Sequence, residues 1–471
     1  MENSSITRRD FLKKTVATTA TAVIANSSAF GKIYPGSVLG ANDRINMGFI
    51  GVGNRGSLLM HLFMKENNCR VAGLCDVYSP YLIRDISKVD PAIIKQIGGS
   101  VPKMGENFDS KIIRYNDYRK LLDSKDIDAV CIATPDHWHA IQTIDAMNAG
   151  KDVYCEKPLT MTIHEGRKMV EAQKATNRIA AVGLNRRGNG VYQKLVNEII
   201  PSGKLGKISV ASAFRINNQA PDGIGKMQPT TPPAGFDWNM WLGPRAERSY
   251  QYNIAPYSFR WWSDYSSQMG NWGVHFMDVI RWMLGEKAPI AISAVGGNYM
   301  IDDDRTIPDT MHVTFEFASG AIATFCIYEA SSGNLFDYGE VELRGTKSTL
   351  YADESGYKII PTHPGQFQSW KSTESPEEFK WKDVTDLGDG SNSNSTQVLV
   401  RDFLACIKSG KQPLCPLEEG HRSTSFAHLA NIALKMQRRL EWNAETERFT
   451  NCDEANNLLH YQYRSPWKLN I

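Results

Sequence analysis

Ile45-Asn46-Met47-Gly48-Phe49-Ile50-Gly51-Val52-Gly53-Asn54-Arg55-Gly56 is a short apolar run that ends in a GxGxxG turn. The next residues, Ser57 to Lys65, place Leu58, Leu59, Leu62 and Phe63 at helical spacing. Strand, glycine turn and helix in that order predict the first unit of a dinucleotide-binding sheet. Gly51 permits the tight turn, Gly53 lets the backbone approach a pyrophosphate, and Gly56 lets helix and strand pack closely. Asn54 and Arg55 open the helix, whose free N–H groups and positive dipole end face the phosphates. A second apolar run, Arg70 to Cys75, ends at Asp76, 20 residues beyond Gly56. A carboxylate there hydrogen-bonds the ribose hydroxyls and repels a 2′-phosphate, which favours NAD, while Arg55 nearby keeps NADP admissible.

The alternation continues outward. Asp117 to Ser124 reads as a helix, and Ile127 to Ala133 as a strand buried on both faces. The turn Thr134-Pro135-Asp136-His137-Trp138-His139 leads into a helix over Ala140 to Ala149. Asp152 to Cys155 is the next strand and runs into Glu156-Lys157-Pro158. Ile163 to Lys174 follows as a helix and Ile179 to Gly183 as the last strand. This pattern predicts a doubly wound parallel sheet of α/β Rossmann type over residues 44–187. Ligand groups in such sheets gather at the C-terminal strand ends, where the Thr134–His139 and Glu156–Pro158 segments fall.

From residue 188 to 471 the pattern changes. Ile208–Phe214, Ile292–Gly296, Met311–Phe317, Ala321–Ile327 and Val341–Gly345 read as strands, several with period-two alternation, and Ala318-Ser319-Gly320 is a hairpin turn. These predict an α+β domain with a mostly antiparallel open sheet. Thr396 to Lys408 and Ser423 to Arg439 read as amphipathic helices, and Gln219 to Pro233 as a loop.

Composition narrows the functions. At 471 residues the chain is too long for one ordinary core. The formal charge is +2, and the first 29 residues carry four basic and two acidic groups, so the remainder is near neutral. That argues against nucleic acid as a partner. Cys75, Cys131 and Cys155 sit in apolar runs where Cys acts as a small hydrophobe, and neither a CxxC nor a Cys/His ligand spacing is present, so no metal and no disulfide framework are expected. Thr7-Arg8-Arg9-Asp10-Phe11-Leu12-Lys13 has the form of a twin-arginine export signal, followed by a weakly apolar stretch to Phe30 too short for a stable membrane span. Residues 1–30 are therefore expected to be a signal peptide, 31–43 a linker, and the protein periplasmic. That route moves folded proteins, which suits an enzyme that loads its cofactor before export.

The Gly51–Gly56 turn, Asp76, residues 133–139 and above all Tyr154-Cys155-Glu156-Lys157-Pro158-Leu159-Thr160 resemble the Gfo/Idh/MocA oxidoreductases. The likeness extends through 183–193, 236–244, 259–278 and 418–443, and so covers roughly residues 44–470. It implies reversible hydride transfer between NAD and a hydroxyl-bearing carbon of a sugar, glycoside or polyol, in a homo-dimer or homo-tetramer. It implies that Lys157 and His275 are catalytic. An ammonium steadies the reacting oxygen, and a neutral imidazole takes the hydroxyl proton. Family members commonly carry Asp four residues before this His. Here the position is Asn271, which can orient but not accept a proton. Asp278, one helical turn from His275, is a candidate substitute. Expected cofactor contacts are Gly51, Gly53, Asn54, Arg55, Gly56, Asp76, Thr134, Pro135, His137, His139, Glu156 and Lys157. Expected substrate contacts are Lys157, Arg187, Tyr192, Arg260, Trp272 and His275, with Asn185, Arg186 and Trp262 as further candidates. A redox-neutral NAD-dependent glycosidase and a non-catalytic sugar or nucleotide binder are the alternatives. The first tends to carry a Tyr-Pro-Thr-His-Gly-like motif not found here, and Asn271 keeps the second open.

Overall fold

The computed structural model describes residues 44–108, 111–363, 374–381 and 395–470. The expected signal and linker lie outside the described residues. Strands β1 (Ile45–Ile50), β2 (Cys69–Cys75), β3 (Ile113–Tyr115), β4 (Ala129–Ile132), β5 (Asp152–Cys155) and β6 (Ala180–Val182) form one sheet in the order β3-β2-β1-β4-β5-β6. Every neighbouring pair is parallel. The order reverses between β1 and β4, and this topological switch point opens the crevice in which such sheets hold ligands. β4 is buried along its whole length, as its unbroken apolar run predicts, with Cys131 in its middle.

The second sheet carries β7 (Ile208–Ile216), β8 (Ala291–Gly297), β9 (Thr310–Glu316), β10 (Ile322–Tyr328), β11 (Val341–Gly345), β12 (Ser348–Asp353), β13 (Gly356–Pro361), β14 (Glu377–Lys380), β15 (Leu440–Asn443) and β16 (Arg448–Phe449). Their order is β14-β13-β12-β11-β7-β10-β9-β8-β15-β16. The β9–β10 hairpin turns at Ala318-Ser319-Gly320 as expected, with Gly320 at φ +85°. The sheet is antiparallel except for β7 and β10, which run parallel. That exception delivers the ends of β7 and β10 to the same place.

One helix begins earlier than its polar start suggested. Leu417–Met436 starts six residues before Ser423, directly after Pro416, and stops where Gln437 adopts a left-handed conformation. Its polar first turns face charged partners inside the protein, Glu418 to Arg167, Glu419 to Arg281 and His421 to Glu447, so they carry no apolar periodicity. The chain also returns to the first sheet. Leu399, Val400, Phe403 and Leu404 of helix Ser395–Ser409 join the core around β1 and β2, and Cys415 and Leu417 join the core around β4 and β5. Val182 of β6 donates its N–H to the carbonyl of Cys415 at 2.9 Å. The C-terminal segment thus clamps the edge of the nucleotide sheet, and the two halves meet across a shared wall.

Candidate active site

The first wall is the β1 turn. Gly51 has φ +82°, and a Cβ there would lie 2.8 Å from the amide nitrogen of Thr134. Only glycine fits this crossing of the β1 and β4 ends. Helix Asn54–Met64 starts at the turn with no side-chain cap, which leaves its first N–H groups open to a ligand. Asp76 closes the end of β2. Its carboxylate accepts from the amides of Val52 at 2.8 Å and Tyr78 at 2.9 Å. Burial pushes its pKa up against those two bonds. Among the described residues no basic side chain hydrogen-bonds it. Arg55 is committed elsewhere, its Nε donating to Glu156 Oε1 at 2.8 Å. The cation expected to admit a 2′-phosphate is therefore in an ion pair at the end of β5.

The second wall is the β4 and β5 ends. The Lys157–Pro158 peptide is cis. His139 presents Nδ1 to the Pro158 carbonyl at 2.7 Å and Nε2 to the Thr134 carbonyl at 2.9 Å. Two carbonyl acceptors require two N–H donors, hence an imidazolium. Burial works against that charge, and Cys155, Asp136 and the Pro158 carbonyl work for it, raising the ring to about 10. His139 lines the cavity, but both its nitrogens tie the two strand-end turns together. The Thr134 hydroxyl is likewise held, donating to Gln142 Oε1 at 2.7 Å.

The third wall comes from the second domain. Met269–Gly273 forms a π-helical turn leading into helix Val274–Leu284, and His275 sits in the first turn of that helix. Such turns recur at functional sites because they shift the register of side chains along a helix. Lys157 Nζ donates to the Asn271 carbonyl at 2.7 Å and to Asn271 Oδ1 at 3.1 Å. Asn271 therefore orients the lysine, not the histidine as expected from its position. Burial lowers Lys157 to about 8, and Arg260 and Arg55 oppose its charge further while Glu156 and Asp136 favour it. His275 is buried, its Nδ1 has no partner among the described residues, and burial together with Lys157 holds the ring well below its usual pKa. It is a neutral acceptor throughout the neutral range.

These three walls enclose one cavity of about 550 Å³. Gly51, Gly53, Asn54, Arg55, Asp76, Thr134, Pro135, His139, Glu156, Lys157, Asn271, Trp272, His275, Arg260 and Asn185 all line it. The residues fit a dinucleotide. The glycine turn is shaped for a pyrophosphate and Asp76 for a ribose, while Asn185 Oδ1 is a buried acceptor without a partner among the described residues.

Four expected contacts are not there. His137 packs on Trp241 and Tyr265, its Nε2 lies 2.8 Å from the Trp241 carbonyl, and burial lowers it to about 3. It faces the opposite way from His139, two residues on. Tyr192 is fully buried and donates to Glu340 at 3.0 Å. Arg187 belongs to a buried network. It donates to Asp278 at 2.9 and 2.8 Å and to Glu419 at 2.8 Å, beneath Trp282. Asp278 is thereby used by Arg187 and by the Ser423 hydroxyl at 2.6 Å, so it is no proton relay for His275. Gly56 does not touch the cavity either and acts only through packing. Arg186, a further candidate, pairs with Glu340 at 2.7 Å. Trp262 donates to the Asn253 carbonyl and carries Arg248 on its face.

The Arg187 network has its own expected result. Arg187→Ala leaves the Asp278 carboxylate, whose side chain is 1% exposed, with only the longer contact to Arg281 at 3.8 Å as its cation, and should cost about 3–5 kcal/mol of stability. Denaturant unfolding should show that loss, while KM of the folded fraction stays unchanged.

The second sheet also delivers side chains that sequence reasoning missed. Arg215 of β7, Asn217, Gln219, and Glu329 just after β10 line the same cavity. Glu329 is pushed up to about 7 by burial, against Arg305 at 2.7 Å and Trp261 Nε1 at 2.9 Å. A charged residue in the otherwise uncharged run Ile208–Ile216 was the available signal.

Comparison with known families agrees with this geometry. Residues 45–184 match the oxidoreductase family's NAD-binding Rossmann fold, 241–351 the GFO/IDH/MocA C-terminal domain, and 381–469 the oxidoreductase family's C-terminal alpha/beta domain. The chain belongs to the GFO/IDH/MocA family. Its N-terminal domain is the family's NAD-binding domain, and its second sheet is the family's mostly antiparallel one. A glycosyl hydrolase family 109 protein 2 of Shewanella sp. (strain ANA-3) is 34% identical over 186 residues, which is 37% of this chain and 38% of that protein. A family 109 protein 1 of the same strain is 29% identical over 227 residues, 45% of this chain and 46% of that protein. These matches thus span less than half of either curated relative. Levoglucosan dehydrogenase, solved with NADH and levoglucosan, superposes with a TM-score of 0.61 at 18% identity, covering 84% of this chain and 99% of that one. Aldose-aldose oxidoreductase from Caulobacter crescentus, solved with glycerol, gives 0.56 at 18% identity, with the same coverage. The likeness to both solved structures is one of fold.

Proposed function

We propose that this protein is an NAD-dependent oxidoreductase acting at a hydroxyl-bearing carbon of a sugar, glycoside or polyol. The observation that carries the reading is the single cavity that joins the glycine turn and Asp76 to Lys157 and His275. When bound, the dinucleotide supplies the hydride acceptor or donor. The protein supplies the rest. Gly51, Gly53 and the open helix start hold the phosphates, and Asp76 holds the ribose. His275, neutral and with a free Nδ1, accepts the hydroxyl proton. Lys157, fixed by Asn271, donates to the reacting oxygen as negative charge develops there. The buried surroundings of both groups exclude water and strengthen that bond.

Only the ammonium form of Lys157 donates. It is held below its pKa of about 8 and lost above it, so carbonyl reduction should fall about tenfold per pH unit beyond that point. Asn271→Asp puts a carboxylate on Lys157, raises its pKa and should move the descending limb to higher pH. A limb at the same pH in both proteins would detach the profile from Lys157.

The family 109 relatives give a specific reason for a second reading, a glycosidase that oxidises, eliminates and reduces with no net redox change. Aryl glycosides separate the two. Phenol release without accumulation of reduced nicotinamide supports the glycosidase, and reduced nicotinamide without phenol supports the dehydrogenase. Export by the twin-arginine signal to the periplasm, where free NAD is scarce, goes with a tightly held cofactor recycled by a second substrate. Assembly as a dimer or tetramer through the second sheet is consistent with exposed Val295, Ile322 and Ile360 on its strands. Among the described residues no helix is long and apolar enough to cross a membrane.

A further inference from the structure

Two guanidinium groups line the cavity with no carboxylate at ion-pair distance among the described residues, although Glu329 lies near Arg215, and Asp136 and Glu156 near Arg260. Arg215 lies over the Trp272 ring, 3.8 Å from its centroid, and its Nε is buried with no hydrogen-bond partner among the described residues. Arg260 lies against the rings of Tyr257 and Phe259, at 4.2 and 4.5 Å, and donates once, to the Tyr257 carbonyl at 2.7 Å. The acids around them are already engaged. Glu156 is paired with Arg55, Glu329 with Arg305, and Asp136 accepts from the Ser266 hydroxyl. Among the described residues neither Arg215 nor Arg260 forms an ion pair, and Lys157 adds a third cation whose only close partner is an amide residue. Burial pulls both guanidiniums below their usual range.

Partly buried cations with no carboxylate at bonding distance favour an incoming anion. The rings beneath these groups fix the guanidinium planes and leave their edges to form paired N–H···O bonds, the geometry that suits a carboxylate. The dinucleotide's own phosphates have a separate berth at the β1 turn, whereas Arg215 and Arg260 come from the second domain.

We propose that Arg215 and Arg260 form a carboxylate subsite, and that the substrate is an acidic sugar of the hexuronate class. The proposal rests on the oxidoreductase reading and names its substrate. The carboxylate anchors one end of the sugar on the second domain, and the hydroxyl to be oxidised is presented to Lys157 and His275.

Calorimetry on the protein loaded with NADH tests it with three matched pairs of probes: glucose and glucuronate, galactose and galacturonate, mannose and mannuronate. At least one hexuronate should bind about 10- to 100-fold more tightly than its neutral partner. Arg215→Gln and Arg260→Gln should each remove most of that preference. Arg215→Lys, which keeps the charge and the packing bulk, should retain part of it. Equal affinities within every pair, no binding of any hexuronate, or a preference that survives Arg215→Gln overturns the subsite. The same samples loaded with NAD report hydride transfer by nicotinamide absorbance. A hexuronate that binds with the predicted arginine dependence but never reduces NAD contradicts the oxidoreductase reading and leaves the subsite standing.

Discussion

Lys157→Met is expected to lower turnover about 10²- to 10³-fold, equivalent to about 2.7–4 kcal/mol of barrier, in both oxidation and reduction. The ammonium beside His275 has its position set by two bonds to a single residue, Asn271. Its removal takes away a bond that strengthens only as charge develops on the reacting oxygen, so kcat and kcat/KM should fall together and the cofactor should bind as before. Methionine keeps the length and apolar stem of the side chain, so the cavity does not collapse. The imidazole at 275 should also become easier to protonate, because Lys157 is the leading charge that holds its pKa down. Stopped-flow measurement of NADH formation, with NADH affinity from fluorescence titration, reads both quantities. A variant with unchanged kcat would remove Lys157 from the chemistry.

The second large effect is on the fold of the nucleotide turn. A Cβ at Gly56 would stand 1.9 Å from the carbonyl oxygen of Gly51 and 2.9 Å from its carbonyl carbon. Both are backbone atoms, so no side chain can rotate away, and helix Asn54–Met64 must back off from β1. Gly56→Ala should cost about 1–3 kcal/mol of stability and, by displacing the helix start, about 100-fold in NADH affinity. Gly53→Ala separates the two effects. Its Cβ would meet nothing closer than Tyr81 at 3.6 Å, so thermal stability should hold while NADH affinity falls, because only the approach of the pyrophosphate is blocked. Calorimetric unfolding and fluorescence titration of the two variants should give that pattern. Full NADH affinity in Gly56→Ala would mean the cofactor is held elsewhere.

What could be read in advance follows a physical division. The strand, glycine turn and helix from Ile45 to Lys65, Asp76, and the β4 and β5 ends are legible because each is dictated by neighbours along the chain. Turn conformation, strand burial and helix start are local properties. The residues that were misplaced are those whose partners are remote. Arg187 sits two residues beyond Asn185, which does line the cavity, and is drawn inward by Asp278 and Glu419, 91 and 232 residues away. Tyr192 is taken by Glu340, 148 residues away. Nothing near either position announces a buried acid. His137 and His139 look alike in sequence, but one faces Trp241 and the other two backbone carbonyls of the cavity wall. Arg215 and Glu329 escaped notice for the converse reason. They reach the site because β7 and β10 pair in parallel within an otherwise antiparallel sheet, and the lone charge of Arg215 in its strand marks a polar neighbour without revealing that topology.

The account stands or falls on where a reduced nicotinamide ring lies when the dinucleotide crosses the β1 turn. A crystal structure of the protein with NADH locates it. The ring should be in van der Waals contact with the side chains of Lys157 and His275, with the adenine ribose on Asp76. A ring held away from both side chains, or a dinucleotide bound outside this cavity, would contradict the assignment.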